Sequence, residues 1–138
     1  MKRGIEDFRG DWQITREIAD HRLGQTGTLD GTAKLSGGGA TLTYHERGTL
    51  RFGQGAPLVA ERRYLWTFTT DAVLVAYADG AAFHAFRPEG LAEATPHLCG
   101  QDMYHGQYDL TGFPAWSVTW SVSGPRKDYR SVTWYRRA

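Results

Sequence analysis

The sequence predicts an all-β fold, a single antiparallel up-and-down β-barrel of about eight to ten strands. Three observations point there. Side-chain polarity alternates with a period of two along most of the chain, as in strands with one wet and one dry face. Turn-forming sequences separate these runs: Ser36-Gly37-Gly38-Gly39, Gly53-Gln54-Gly55-Ala56-Pro57, Asp79-Gly80 and Gly124-Pro125. No window keeps apolar residues at helical spacing for long, so only residues 2–9 and 19–25 have room for a short helical turn.

Taken in order, 11–18 is the first strand, and 28–35 runs up to the glycine cluster that turns into 40–52. The Gly53 to Pro57 turn leads to 59–69, and the segments 72–78 and 82–87 flank Asp79-Gly80. Residues 91–98 and 102–110 lie on either side of Gly100, and 115–123 and 127–136 flank Gly124-Pro125. There are no repeats and no low-complexity segments.

A chain of 138 residues is expected to form one domain, with a core large enough to need no disulfide or metal staple. Five Trp, seven Tyr and six Phe recur along its length, which suits a barrel lined by large side chains. The net charge of +1 and the lack of a long basic run leave no electrostatic footprint for a nucleic-acid backbone. A single cysteine, Cys99, excludes an internal disulfide framework and suits a reducing compartment. The start, Met1 to Asp7, is polar and no later run approaches membrane-spanning length, so the expectation is a soluble cytoplasmic protein without a membrane partner.

Polar residues appear on faces that should be dry. In 42–52 one face carries Leu42, Tyr44, Glu46, Gly48, Leu50 and Phe52, and the other Thr41, Thr43, His45, Arg47, Thr49 and Arg51. The first face is the interior, so Glu46 points into an apolar surface and needs a partner. An antiparallel hairpin through Gly53 to Pro57 can set Tyr64 opposite Glu46, with Arg62 diagonal to it. Glu46, Arg62 and Tyr64 then form a structural ion pair closed by a hydroxyl, or a clamp whose guanidinium fork takes a ligand carboxylate. Spacing does not separate the two.

A second cluster is His97-Leu98-Cys99-Gly100-Gln101-Asp102-Met103-Tyr104-His105. Metal ligation would use His97, Cys99 and His84 or Asp102, but His-x-Cys without a second cysteine pair is a weak zinc signal, and no metal is expected. A nucleophile reading takes Cys99 as thiolate, His97 as base and Asp102 as orienter. The bland reading is a hydrogen-bonded wall in which His97 and Asp102 satisfy each other and Tyr104 closes the network. Further on, Trp116, Val118, Trp120 and Val122 alternate with serines and threonines to make an apolar wall. The turn after it concentrates Arg126, Lys127, Asp128 and Tyr129: either a solvated tip, or Arg126 and Lys127 gating an anionic ligand at the barrel mouth with Tyr129 facing it. His84 reads as a satisfied wall histidine or a ligand contact.

The chain is framed by Phe8-Arg9-Gly10-Asp11-Trp12 and Trp134-Tyr135-Arg136-Arg137. A glycine two residues before a tryptophan, with an arginine in the closing strand, resembles the calycin (lipocalin-like) signature. The resemblance implies that Trp12 plugs one end of the barrel beneath a terminal arginine, here Arg136 or Arg137, with Arg136 taken as the structural partner of Gly10 and Trp12. With Tyr44-x-Glu46, Arg63-Tyr64-x-Trp66, Asp79-Gly80, Phe83-His84, His97-x-Cys99-x-x-Asp102-x-Tyr104 and Gly124-Pro125-x-Lys127-Asp128-Tyr129, nearly the whole chain resembles an uncharacterised bacterial lipocalin-like family, a domain of unknown function. That family carries no established chemistry. The wider superfamily implies small hydrophobic or amphipathic ligands, and some of its barrels bind haem or act as isomerases. The closing strand here holds no histidine and the glycine-rich opening of haem-binding nitrobindin-like barrels is missing, so no cofactor is expected.

The interior is therefore expected to be lined by Trp12, Tyr44, Trp66, Phe68, Trp116 and Trp120. The expected function is binding of a small amphipathic or hydrophobic molecule, its polar end, neutral or anionic, met by Glu46, Arg62, Tyr64, His84, His97, Asp102, Tyr104 and Tyr129, with Arg126 and Lys127 at the mouth. The enzyme alternative puts isomerase- or hydrolase-like acid–base chemistry on His97, Asp102, Tyr104 and Glu46. A third reading, a structural or homodimerising module built on exposed edge strands, requires an interior filled by side chains.

Overall fold

The computed structural model describes residues 1–138 as one nearly closed antiparallel barrel preceded by a single helical turn, α1 (Ile5–Phe8). The strands are β1 (Gly10–Asp20), β2 (Gln25–Ser36), β3 (Thr41–Phe52), β4 (Leu58–Phe68), β5 (Val73–Tyr77) and β6 (Ala82–Phe86). They continue as β7 (Leu91–Glu93), β8 (His97–Cys99), β9 (Asp102–Asp109), β10 (Trp116–Ser123) and β11 (Asp128–Arg137). Their spatial order is β6-β5-β4-β3-β2-β1-β11-β10-β9-β7, with β8 also paired to β9. Only the β1–β11 pairing joins strands distant in sequence along this path, and it fastens the two chain ends together.

Two expectations about secondary structure are corrected. Residues 19–25 are not helical: β1 and β2 stay paired up to Asp20 and Gln25, and Asp20 turns the chain by accepting the backbone N–H groups of Arg22 and Leu23. Residues 91–98 are two strands, not one. After Ala94 bonds to Gly106 of β9, the Thr95 N–H turns away to donate to Ala85 O at 2.9 Å, while Thr95 Oγ1 accepts the Ala85 N–H at 2.9 Å. Thr95 thereby bridges the seam between β6 and the β7–β8 edge, and Pro96, which has no N–H, follows where the ladder is broken.

Inward alternation builds a core from Ile14, Leu29, Leu35, Leu42, Tyr44, Trp66, Val75 and Trp116, all buried. Trp12 closes one end, fully buried, with its indole N–H donated to Phe8 O at 2.8 Å. Phe8 itself meets Trp66, Trp116 and Phe113 edge-on, so the helical turn acts as an aromatic stopper. Arg137, not Arg136, lies over the Trp12 ring, at 4.0 Å, and donates to Arg9 O and Asp7 O at 2.8 and 2.6 Å. Strand phase decides this: Arg137 is in register with buried Thr133 and Tyr135, whereas Arg136 points outward and donates to Gln13 at 3.0 Å. Gly10 has φ +123, and a Cβ there would sit 2.8 Å from Arg137 Nη1, so the glycine makes room for the arginine.

Arg137→Ala removes the cation–π contact and two charge-assisted bonds, and is expected to destabilise the barrel by about 1–3 kcal/mol. Arg136→Ala should fall within about 0.5 kcal/mol of the parent. Urea midpoints of the two variants check the difference.

Candidate functional site

With one end stoppered, the turns after β1, β3, β5, β8 and β10 surround the other, the mouth. Between stopper and mouth lies a cavity of about 390 Å³ lined by 21 residues, 14 of them hydrophobic. That volume is in the range of small-molecule pockets, ~300–1,000 Å³. Its aromatic wall includes Trp66, Tyr64, Tyr77, Phe83, Trp120 and Tyr104. Phe83 stacks between Tyr77 and Trp120, with ring centroids 4.9 and 5.1 Å away. Gly106 of β9 pairs with Trp120, and a Cβ on it would come within 2.7 Å of that ring, so the glycine lets the indole lie against the neighbouring strand.

The deep polar group is a network around a buried ion pair. Arg16 and Glu46 are only 4% and 1% exposed, and Arg16 grips the carboxylate with both ends of its fork, Nη1 to Oε2 at 2.8 Å and Nη2 to Oε1 at 2.7 Å. Arg16 Nε donates to Thr133 Oγ1 at 2.7 Å. The Tyr44 hydroxyl donates to Glu46 Oε1 at 2.6 Å and contacts the Tyr135 hydroxyl at 2.7 Å. Burial alone would raise the Glu46 carboxyl, but the bonds and charge of Arg16, helped by Arg62 and Tyr44, hold it below its ordinary value. Burial raises the Tyr44 and Tyr135 phenols well above theirs.

Sequence reasoning missed Arg16, although it stands in phase with Trp12, Ile14 and Ile18, and that phase was the available signal. It also placed the β3–β4 register two residues off. Phe52 stays paired with Gly27 of β2, so β3 and β4 close on Leu50 and Leu58; Glu46 then faces Arg62, and Tyr64 faces Tyr44. Arg62 is half exposed with Nε 4.0 Å from Glu46, a contact secondary to Arg16. Both Arg62 and Tyr64 line the cavity.

His84 lies in the wall. Its Nε2 bonds the Tyr108 hydroxyl at 2.7 Å, while Nδ1 is buried without a partner. Burial, with a smaller contribution from His97, pushes its pKa down to about 3, so the ring is neutral at physiological pH. At the mouth, Lys127 Nζ reaches the Tyr104 hydroxyl at 3.2 Å and Asp102 at 3.5 Å. Tyr104 and Tyr129 line the cavity; Arg126 is exposed on the β10–β11 turn and does not.

His97 and Asp102 do not bond each other, contrary to the wall expected of them. The pairing around Gly100 sets His97 across from Tyr104 and Cys99 across from Asp102. Cys99 is exposed, His97 packs edge-on against Phe83 at 5.2 Å, and neither His97 nor Asp102 lines the cavity. A Cys99–His97–Asp102 catalytic arrangement is thus not assembled, and no three His, Cys, Asp or Glu residues gather at metal-binding distances.

The profile of a family of unknown function matches residues 8–137, from the stopper phenylalanine to the arginine over Trp12. The chain belongs to DUF6314. No curated protein sequence shows significant similarity to this DUF6314 chain. Among solved structures it is similar to an S-type phycobiliprotein lyase, CPES, from Guillardia theta, at 8% identity and a TM-score of 0.70 over 97% of this chain and 90% of that one. It is also similar to a DUF3598 protein of unknown function from Nostoc punctiforme PCC 73102, at 14% identity and a TM-score of 0.61 over 97% of this chain. The DUF6314 chain spans about half of that second protein, 48% of its length. At these identities the likenesses establish a shared barrel fold.

Glu46→Gln leaves Arg16 buried beside a neutral partner and is expected to cost about 3–5 kcal/mol, against about 1 kcal/mol or less for Arg62→Ala, read from urea unfolding. Stability should also fall on acidification in two steps. In the unfolded chain His84 takes up a proton near pH 6.5 but in the barrel only near 3, so stability is lost as pH drops between those values. Glu46, held below 4.5, contributes stability that is present above that pH and lost as pH falls through its lowered value. His84→Gln should flatten the first step and leave the second.

Proposed function

We propose that this barrel binds a small amphipathic molecule, apolar body against Trp66, Phe83 and Trp120, anionic end toward Arg62, Tyr129 and Lys127 near the mouth. The carrying observation is the cavity itself: about 390 Å³, mostly apolar in lining, stoppered at one end, with a half-exposed guanidinium whose only carboxylate neighbour is already held by Arg16. The third reading needed an interior filled by side chains, which this cavity does not fit.

Binding is favoured over acid–base catalysis by the state of the interior. An effective general acid or base titrates near the working pH. Here Glu46 is held ionised, Tyr44, Tyr108 and Tyr135 are held protonated, and His84 is held neutral. The candidates His97, Asp102, Tyr104 and Glu46 are divided between the mouth and the depth. No helix is long and apolar enough to cross a membrane, and the single exposed Cys99 suits a reducing, cytoplasmic setting.

An anionic amphipath such as 8-anilinonaphthalene-1-sulfonate tests the reading. The folded protein is expected to bind it saturably, with energy transfer from tryptophan. Ser131→Trp, which fills the cavity, should abolish binding, and Arg62→Ala should weaken it by about 3–10-fold. Absence of saturable binding across a panel of amphipathic sulfonates and carboxylates would overturn the reading.

A further inference from the structure

The hydrogens of the buried network have only one consistent arrangement. Glu46 is ionised and can only accept, so the single Tyr44 hydroxyl hydrogen is committed to Oε1 at 2.6 Å. In the 2.7 Å contact between Tyr44 and Tyr135, the donor must then be Tyr135. The chain of bonds runs from Tyr135 to Tyr44 to Glu46, and Arg16 anchors its far end. Tyr135 has spent its hydrogen and keeps lone pairs. All four of these residues line the cavity. Burial raises both phenols, so neither loses its proton at physiological pH.

From this polarity, and resting on the binding reading above, we infer that Tyr135 is an acceptor-only recognition point and that the ligand carries a hydrogen-bond donor, N–H or O–H, on the part of its body that reaches the network. A ligand offering a carbonyl or ether oxygen there would set lone pair against lone pair in a site shielded from water. Such mismatches discriminate strongly, because the buried group is left unpaired. The specificity originates in the ion pair: Arg16 keeps Glu46 ionised, Glu46 takes the Tyr44 hydrogen, and Tyr44 takes that of Tyr135.

Two isosteric probes isolate the effect: 6-anilinonaphthalene-2-sulfonate, whose bridging N–H lies across the naphthalene from the anionic group, and 6-phenoxynaphthalene-2-sulfonate, with an ether oxygen in its place. Calorimetric titration of the wild-type protein is expected to favour the amine by about 5–30-fold. Tyr135→Phe should bring the ratio to within about 2-fold while keeping the folded circular dichroism spectrum. Tyr44→Phe releases the Tyr135 hydrogen, and should shift the preference toward the ether. Equal wild-type affinities for the two probes would overturn this inference and leave the binding reading intact. Failure of both probes to bind would overturn this inference, and failure of the whole panel would overturn the binding reading as well. Should Tyr135→Phe fail to fold, the wild-type ratio and the Tyr44→Phe shift decide the matter.

Discussion

The interior of this barrel depends on one ion pair. Arg16 on β1 and Glu46 on β3 meet across the intervening β2, and each is almost wholly removed from water. Burying two charges is tolerable only when geometry and further hydrogen bonds repay the lost hydration. Here a two-pronged guanidinium contact, a threonine hydroxyl and a tyrosine hydroxyl supply that compensation. The same bonds orient Tyr44 and Tyr135. A structural demand of the core therefore sets the chemical character of the cavity surface.

The rest of the architecture makes the cavity one-sided. The Phe8 and Trp12 stopper, held by Arg137, joins the N-terminal turn to the last strand and seals one end. The β6 to β7–β8 seam is bridged by Thr95 rather than by a continuous ladder, so the wall closes without full strand pairing. Large aromatic rings then cover the wall, with Gly106 letting Trp120 lie against β9, while the small Ser131 leaves volume in the lining. Polarity grades from the shielded ion pair to the half-exposed Arg62 and the Lys127–Tyr104–Asp102 group at the mouth.

The fold was largely legible, because period-two alternation and glycine-rich turns are local signals that survive in a barrel wall. The interior face of β3 could be read from Leu42, Tyr44 and Glu46, and so could the need of Glu46 for a partner. The partner's identity was not readable in the same way. Arg62 lies nearer in sequence, and choosing Arg16 requires knowing that β1, β2 and β3 curve enough to bring their inner faces together. Register failed for a related reason: Phe52 keeps its bond to β2 after β3 has stopped pairing with β4, a three-strand effect that no hairpin rule contains. Arg136 and Arg137 were separable only by strand phase at a chain end, where phase is least certain. Proximity in sequence groups His97, Cys99 and Asp102, but the tight turn at Gly100 sets His97 against Tyr104 and Cys99 against Asp102.

The most direct test of ligand binding in this cavity is native mass spectrometry of the protein after incubation with the small-molecule extract of its own cells, compared with the same sample denatured. A ligand-binding barrel should show a defined non-covalent mass increment in the native spectrum, lost on denaturation and lost from the cavity-filled Ser131→Trp variant. Identical polypeptide masses in the native and denatured spectra would contradict ligand binding.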